Sequence, residues 1–221
     1  MSGRHILTID LGTSGPKAAV VSSDGRVVGA GQHKVATSFP GAGAAEQDPD
    51  EIWRATVTSC REALAEAAAG DVRPRDVVAV IVSSQYSSIV PVDATGRHLH
   101  PMMIWMDQRG GPKRVRRLPG FPKGADGPLD LLRVLRTHGV PPIDGGLSQT
   151  HMRWLRFARP DVYERTAAFL EPMDYLAMRL CGRATANQCT AFMSLAVDNR
   201  TLGATAYHPK LVELSLIDPA K

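Results

Sequence analysis

His5-Ile6-Leu7-Thr8-Ile9-Asp10-Leu11-Gly12-Thr13-Ser14-Gly15-Pro16-Lys17-Ala18-Ala19-Val20-Val21-Ser22-Ser23-Asp24-Gly25-Arg26-Val27-Val28-Gly29-Ala30-Gly31-Gln32-His33 is the stretch that decides the fold. Residues 5–10 are apolar enough for a buried strand. Leu11 to Gly15 supplies a turn of small residues, and Lys17 to Ser22 a second strand. Asp24-Gly25 is a strong two-residue hairpin signal, so Arg26 to His33 returns as a third. Three antiparallel strands at the start of a chain restrict the topology that can follow.

Moving outward, Phe39 to Gln47 reads as a loop. A helix then starts at Asp48, whose carboxylate can cap free amides, with Pro49 at the first helical position and Glu51 completing a capping box. Trp53, Val57, Cys60 and Leu64 recur at helical spacing, and the helix ends near Gly70. Val77 to Val82 is a continuous β-branched run, which predicts a fully buried strand. Ile89 to Val92 and Met102 to Trp105 are shorter strand candidates. Beyond Asp107, after a loop-rich stretch from Gly110 to Pro128, the pattern turns helical. Helices are expected at Leu129–Leu135, Met152–Phe157, Asp161–Arg165, Met173–Leu180 and Tyr207–Leu214, with a short strand at Leu195–Val197. Pro172 opens the fourth of these helices and Gly182 closes it. The order strand-strand-strand-helix-strand predicts one α/β domain with a ribonuclease H-like sheet, decorated by a helical insertion.

Composition excludes several classes. The 221 residues carry 26 Lys plus Arg against 22 Asp plus Glu, a net charge of +4 that is too small to argue for nucleic acid. The one dense basic patch, Lys113, Arg114, Arg116 and Arg117, reads as a solvated loop or frayed helix. No apolar run approaches the ~20 residues that span a bilayer. Met1 to Arg4 leads straight into a strand, without a signal-peptide pattern. Cys60, Cys181 and Cys189 have no metal-site spacing and are read as reduced, mostly buried thiols of a cytoplasmic protein.

The chemistry concentrates in Asp10-Leu11-Gly12-Thr13-Ser14-Gly15 and Lys17. A carboxylate at the end of a buried strand is costly unless cations or donors meet it. Gly12 and Gly15 permit close backbone approach, and successive amides in such a turn form a nest for anionic oxygens. Thr13 and Ser14 add hydroxyls and Lys17 a point charge. Asp10 would hold Mg²⁺, largely through water. A hairpin that merely needs glycines would look the same. The G-x-x-x-x-G-K-[ST] and G-x-G-x-x-G loops are absent, so this phosphate loop is of another type.

With those residues in view, the chain resembles the FGGY carbohydrate kinases, most closely their xylulokinase-like members. The matching segments are Ile9 to Lys17, Ala45-Glu46-Gln47-Asp48-Pro49 with Trp53, Ile104-Trp105-Met106-Asp107-Gln108-Arg109, and Asp174-Tyr175-Leu176 with Arg179-Leu180 and Gly182. The resemblance implies an actin- or hexokinase-type ATPase fold of two core domains, with residues 1–221 forming an incomplete N-terminal domain and the C-terminal ATP-binding domain absent. It implies ATP and Mg²⁺ as cofactors, a sugar or polyol as substrate, no nucleic-acid or membrane partner, and leaves a homodimer of the complete protein open. Gly12, Thr13, Ser14 and Lys17 would face phosphate, Asp10 the metal. Gln85, Tyr86 and Ser87, with Trp105 and Asp107, would face the sugar. Here the chain departs from the xylulokinase pattern: a Gln-Met-His-Gly run is replaced by Gln85-Tyr86-Ser87-Ser88. Tyr86 could stack on a sugar face and Ser87 hydrogen-bond it. Trp105 reads equally as a core aromatic, and Asp107 as a helix cap. Arg109 is expected to pair with a carboxylate, Asp174 to be structural. The family's general base, an Asp in a Gly-x-x-Asp segment, would lie beyond Lys221, so no catalytic residue is expected in this chain.

Two other readings compete. A ribonuclease H-like nuclease also places an Asp on its first strand but needs further acids at neighbouring strand ends, where this chain has Ser83-Ser84-Gln85. A non-catalytic or truncated sugar- or nucleotide-binding relative fits the altered Gln85 to Ser88 segment.

Overall fold

The computed structural model describes residues 4–140, 142–204 and 206–221. Met1, Ser2 and Gly3, read above as the lead into the first strand, lie outside the described residues. The chain divides into two compact units, one of residues 4–37 and 47–85, the other of residues 38–46 and 86–221.

The first unit is a four-stranded sheet covered by one long helix. Strands β1 (His5–Gly12), β2 (Gly15–Ser22) and β3 (Val27–Gln32) form the antiparallel meander the sequence predicts. After β4 (Glu46–Gln47) comes α1 (Pro49–Ala69), and then β5 (Val77–Ser84) pairs parallel to β1. The sheet order is therefore β3-β2-β1-β5, the ribonuclease H-like arrangement. Strands β1 and β2 run further than expected, to Gly12 and from Gly15, leaving only Thr13 and Ser14 in the turn.

Helix α1 begins as predicted at Asp48, whose carboxylate accepts the Asp50 amide at 2.9 Å. Glu51 does something else: its carboxylate accepts the Ala36 amide at 3.1 Å. The buried face is also offset from the apolar stripe. Ile52, Thr56, Ser59, Ala63 and Ala67 face the sheet, whereas Trp53, Val57, Cys60 and Leu64 are half-buried at its flank. The reason is close approach. A Cβ at Gly29 would overlap the Ala63 carbonyl, and one at Gly31 the Ser59 carbonyl, so helix backbone and strand backbone meet through small residues. Leu7, Ala18 and Val20 complete this core with Ala63 and Ala67.

The predicted burial of β5 is not observed. Val78, Val80 and Ile81 are 59, 48 and 53 % exposed. Strand β5 is the outer strand of this sheet, and neighbouring residues point to opposite faces, so both of its faces meet solvent.

The second unit is mostly helical. Strand β6 (Val90–Val92) pairs antiparallel with β8 (Ala168–Leu170), and β7 (Met102–Met103) bridges to Ile89. Between and after them come α2 (Pro112–Val115), α3 (Pro128–His138), α4 (Ser148–Ala158), α5 (Pro160–Arg165), α6 (Pro172–Cys181), α7 (Gln188–Ala191) and α8 (Pro209–Ser215). Five of these lie where periodicity places helices. Strand β8 and the short helices α2 and α7 carry too few residues for a period. The strand expected at Leu195–Val197 reduces to a single bridge, Val197 to Tyr207. Gly182 ends α6 with φ +73°. Ile89, Met103, Met152 and Leu155 form the main core. Cys181 and Cys189 are exposed rather than buried, because each sits on the outer side of a helix end. None of the described helices is long and apolar enough to cross a membrane.

Candidate functional site

The first candidate segment is the β1–β2 hairpin. Asp10 and Lys17 are direct cross-strand partners, both exposed. Leu7 and its neighbours at alternate positions point to α1, so Asp10 and Lys17 project from the opposite, open face. The turn is fixed by a closed ring of neutral hydrogen bonds. The Thr13 hydroxyl donates to Gln85 Oε1 at 3.0 Å, Gln85 Nε2 donates to Gln47 Oε1 at 2.9 Å, and Gln47 Nε2 donates back to the Thr13 carbonyl at 2.7 Å. Gln47 also reaches the Thr37 hydroxyl, and the Gln85 amide donates to the Leu11 carbonyl.

The two glycines differ. A Cβ on Gly12 would meet only the Gly15 carbonyl, at 3.7 Å, leaving open space above the turn. Gly15 has φ +130°, and a Cβ there would overlap the His33 carbonyl. Its glycine is required by the chain's own return, where the Val35 amide donates to the Ser14 carbonyl at 3.0 Å. Close approach to a ligand is therefore the reading for Gly12 and not for Gly15.

The second candidate segment belongs to the other unit. Tyr86 is half-buried and its phenol donates to the Cys189 carbonyl at 2.5 Å; burial, with Cys189 and Glu171 nearby, pushes its pKa well above the ordinary phenol range. Ser87 is buried with φ +62°, and Ser88 is fully buried. The Ser88 hydroxyl accepts the Trp105 amide at 3.2 Å. Trp105 is 47 % exposed, so it is not a core aromatic.

Asp107 is 0 % exposed and caps no helix; α2 starts later, after Gly111. Its oxygens accept the Ala45 amide at 3.0 Å, the Arg109 amide at 2.9 Å and Arg109 Nε at 2.9 Å. Arg109 also pairs with Glu46 at 2.5 Å and stacks 4.1 Å over the Trp154 ring. His100 stands 3.7 Å from the same Glu46 oxygen. His151 Nε2 donates to the Asp107 carbonyl at 3.2 Å, and burial drives its imidazole down to about 4, so it is neutral. Glu46, Asp107, Arg109 and His100 thus form a largely buried charge cluster.

Two residues here were given no role by the sequence reading, although Gln47 stood in a segment that carries the resemblance. Gln47 closes the hairpin ring. Glu171, buried between β8 and α6, accepts the Ser88 amide at 3.1 Å and the Ser148 hydroxyl. A glutamate just before the helix-opening Pro172, in an otherwise apolar run, was the signal available. Asp174 is buried, as a structural carboxylate would be; burial raises it to about 6, against a hydrogen bond from Thr190. Of the predicted residues, the structure brings Asp10, Gly12, Thr13, Ser14, Lys17 and Gln85 together in the sheet unit. Tyr86, Ser87, Trp105 and Asp107 lie in the helical unit.

A family model for the N-terminal domain of the FGGY family of carbohydrate kinases matches residues 5–217. The xylulose kinase of Bacillus subtilis (strain 168) is 29% identical over 182 residues, 81% of this chain and 33% of that protein. A glycerol kinase of Delftia acidovorans is 36% identical over 153 residues, 68% of this chain and 28% of that protein. Among solved structures, the xylulose kinase from Rhodospirillum rubrum superposes with a TM-score of 0.82 over 98% of this chain and 42% of that one, at 24% identity, which establishes a shared actin- or hexokinase-like fold. The chain thus spans 20 to 33% of the length of the first curated relatives it matches. With its sheet order, its capped α1 and the match across nearly all of its length, the chain belongs to the FGGY family of carbohydrate kinases.

Proposed function

We propose that this chain supplies the phosphate-facing hairpin and the polyol-facing turn of an ATP-dependent carbohydrate kinase, as the N-terminal domain of that enzyme. The observation that carries the reading is the open-faced pair of Asp10 and Lys17 beside a two-residue turn with free space above Gly12. Phosphoryl transfer needs little covalent chemistry from the protein; it needs positioned donors and cations. Gly12, Thr13 and Ser14 would offer backbone donors, Ser14 its hydroxyl and Lys17 the charge, the Thr13 hydroxyl being given to Gln85. Among the described residues Asp10 belongs to no cluster of three ligating side chains. One exposed carboxylate suits Mg²⁺, which keeps most of its water and takes one or two protein oxygens. Asp10 would hold the ion, which supplies charge neutralisation at the phosphates.

Tyr86 and Trp105 offer aromatic faces to a sugar or polyol, and Ser87 a hydroxyl. Gln85 and Asp107, whose polar atoms are already engaged, hold the frame in this reading. The general base is assigned outside residues 1–221. Asp198 pairs with Arg200 at 2.7 Å, Glu213 with Lys210 at 2.7 Å, and Asp218 accepts the Ala220 amide at 2.9 Å. The isolated chain is therefore expected to bind phosphate and polyol without turnover. Mg·ATP titration into the chain tests the hairpin: Asp10→Asn should weaken binding roughly tenfold while thermal stability is kept. Unchanged affinity would remove Asp10 from the site, and sugar-dependent ADP release by the chain alone would remove the need for an external base.

A further inference from the structure

Glu171 is the buried group that the phosphate and sugar assignments leave without a task. It is 6 % exposed and stands where β8 turns into α6. One carboxylate oxygen accepts the Ser88 amide at 3.1 Å; the other accepts the hydroxyl of Ser148, from the first turn of α4. Ser88 passes the constraint on, because its hydroxyl accepts the Trp105 amide at 3.2 Å. Between Tyr86 and Ser88, Ser87 holds φ +62°. A residue with a side chain keeps that backbone conformation only where its surroundings over-determine it.

We propose that Glu171 is the positioning residue of the polyol-facing turn, locking Tyr86–Ser88 and, through the Ser88 hydroxyl, the backbone of Trp105. The proposal rests on the kinase reading for what the turn binds, but the locking itself is independent of it. Burying a carboxyl this far from water is unfavourable unless donors match its oxygens. Here the matching donors come from the turn and from α4, so the residue ties the turn to the helical core. Burial also pushes its pKa up to about 8, opposed by the hydrogen bonds from Ser148 and from the Ser88 and Ser87 amides. Tyr86, whose own hydroxyl is tied to Cys189, is held at the other end of the same turn. Loss of Glu171 should therefore loosen sugar contacts while leaving the Gly12–Gly15 hairpin untouched.

The test is amide-resolved NMR on the chain, comparing wild type with Glu171→Leu, Glu171→Gln and Ser88→Ala. In Glu171→Leu, hydrogen exchange at the Ser88 and Trp105 amides should accelerate roughly tenfold, with Ile9 and Val20 unchanged. D-xylulose or glycerol, titrated as probes, should bind roughly tenfold more weakly, while inorganic phosphate still shifts the Gly12–Gly15 amides at wild-type affinity. Glu171→Gln, which keeps an acceptor of the same shape, should recover most of both. Wild-type exchange and sugar affinity in a folded Glu171→Leu protein would overturn the proposal, as would parallel loss of sugar and phosphate binding. If Glu171→Leu does not fold, Ser88→Ala decides: sugar binding must weaken with phosphate binding intact, and unchanged sugar binding overturns the link to Trp105. If wild type binds neither probe, the polyol reading of the turn falls. The exchange rates then decide the locking alone, acceleration supporting it and constancy overturning it.

Discussion

Around the Gly12–Gly15 hairpin the groups that impose order are neutral amides, and the ions, Asp10 and Lys17, are exposed on an open face. In the helical unit the arrangement is reversed: Glu46 and Asp107 are buried and paired with Arg109, the Glu171 carboxyl is buried against the Ser88 amide, and Trp105 is exposed. The difference follows from what each segment would hold. A phosphate needs uncommitted charge at the surface. A polyol needs flat apolar faces and a few fixed polar atoms, and charge is then useful only as scaffold. It also means the two segments should fail differently.

The sharpest break is expected at Arg109. Arg109→Met leaves Glu46 and Asp107 buried without their cation, which should destabilise the helical unit by roughly 3–5 kcal/mol. Chemical denaturation should show this, and a loss below about 1 kcal/mol would mean the cluster is not a scaffold. Gly15→Ala comes next. Its Cβ overlaps the His33 carbonyl at φ +130°, so the sheet unit should lose roughly 2–4 kcal/mol. Gly12→Ala, three residues away on the same hairpin, should change stability by less than about 0.5 kcal/mol yet weaken phosphate binding. Equal destabilisation by both glycine variants would erase the distinction drawn between them.

The smallest effect is a pH slope. Burial raises Glu171 from an ordinary 4.5 to about 8, so between pH 6.5 and 8 the folded chain holds a proton that the unfolded chain has released. The contribution is full below the unfolded value and is lost as pH rises through about 8. Stability should decline by roughly 1 kcal/mol per pH unit across that window, and Glu171→Gln should flatten the decline. His151, held down near 4, acts in the other direction, losing its contribution as pH falls from 6.5 toward 4. The two slopes separate the carboxyl from the imidazole.

What could be read in the sequence was local chemistry. The cap at Asp48, Pro49 at the first position of α1 and the left-handed Gly182 each depend on a few neighbouring residues and lie where expected, and Asp24-Gly25 does mark the β2–β3 turn, though within a connection of Ser23 to Arg26 rather than a two-residue one. What could not be read depends on a distant partner. The stripe of Trp53, Val57, Cys60 and Leu64 marked only the flank of the seam, where Cys60 and Leu64 pack against the core; its centre is made of Thr56, Ser59, Ala63 and Ala67, whose small size suits Gly29 and Gly31. The apolar run of β5 looked like a core strand, and nothing in eight residues says how many strands lie beyond them. Of the candidate site, Asp10, Lys17 and the hairpin were legible from type and spacing. Glu171 was not, because it lies 83 residues from the Ser88 amide it accepts.

The exposed outer position of β5 also governs how the molecule behaves in company. Among the described residues it pairs with β1 on one side only, and Val78, Val80 and Ile81 are exposed along it. Such an edge is a template for strand addition between molecules. A net charge of +4 spread over 221 residues supplies little repulsion against it. Association between copies of the chain is therefore expected to begin along this strand of eight residues.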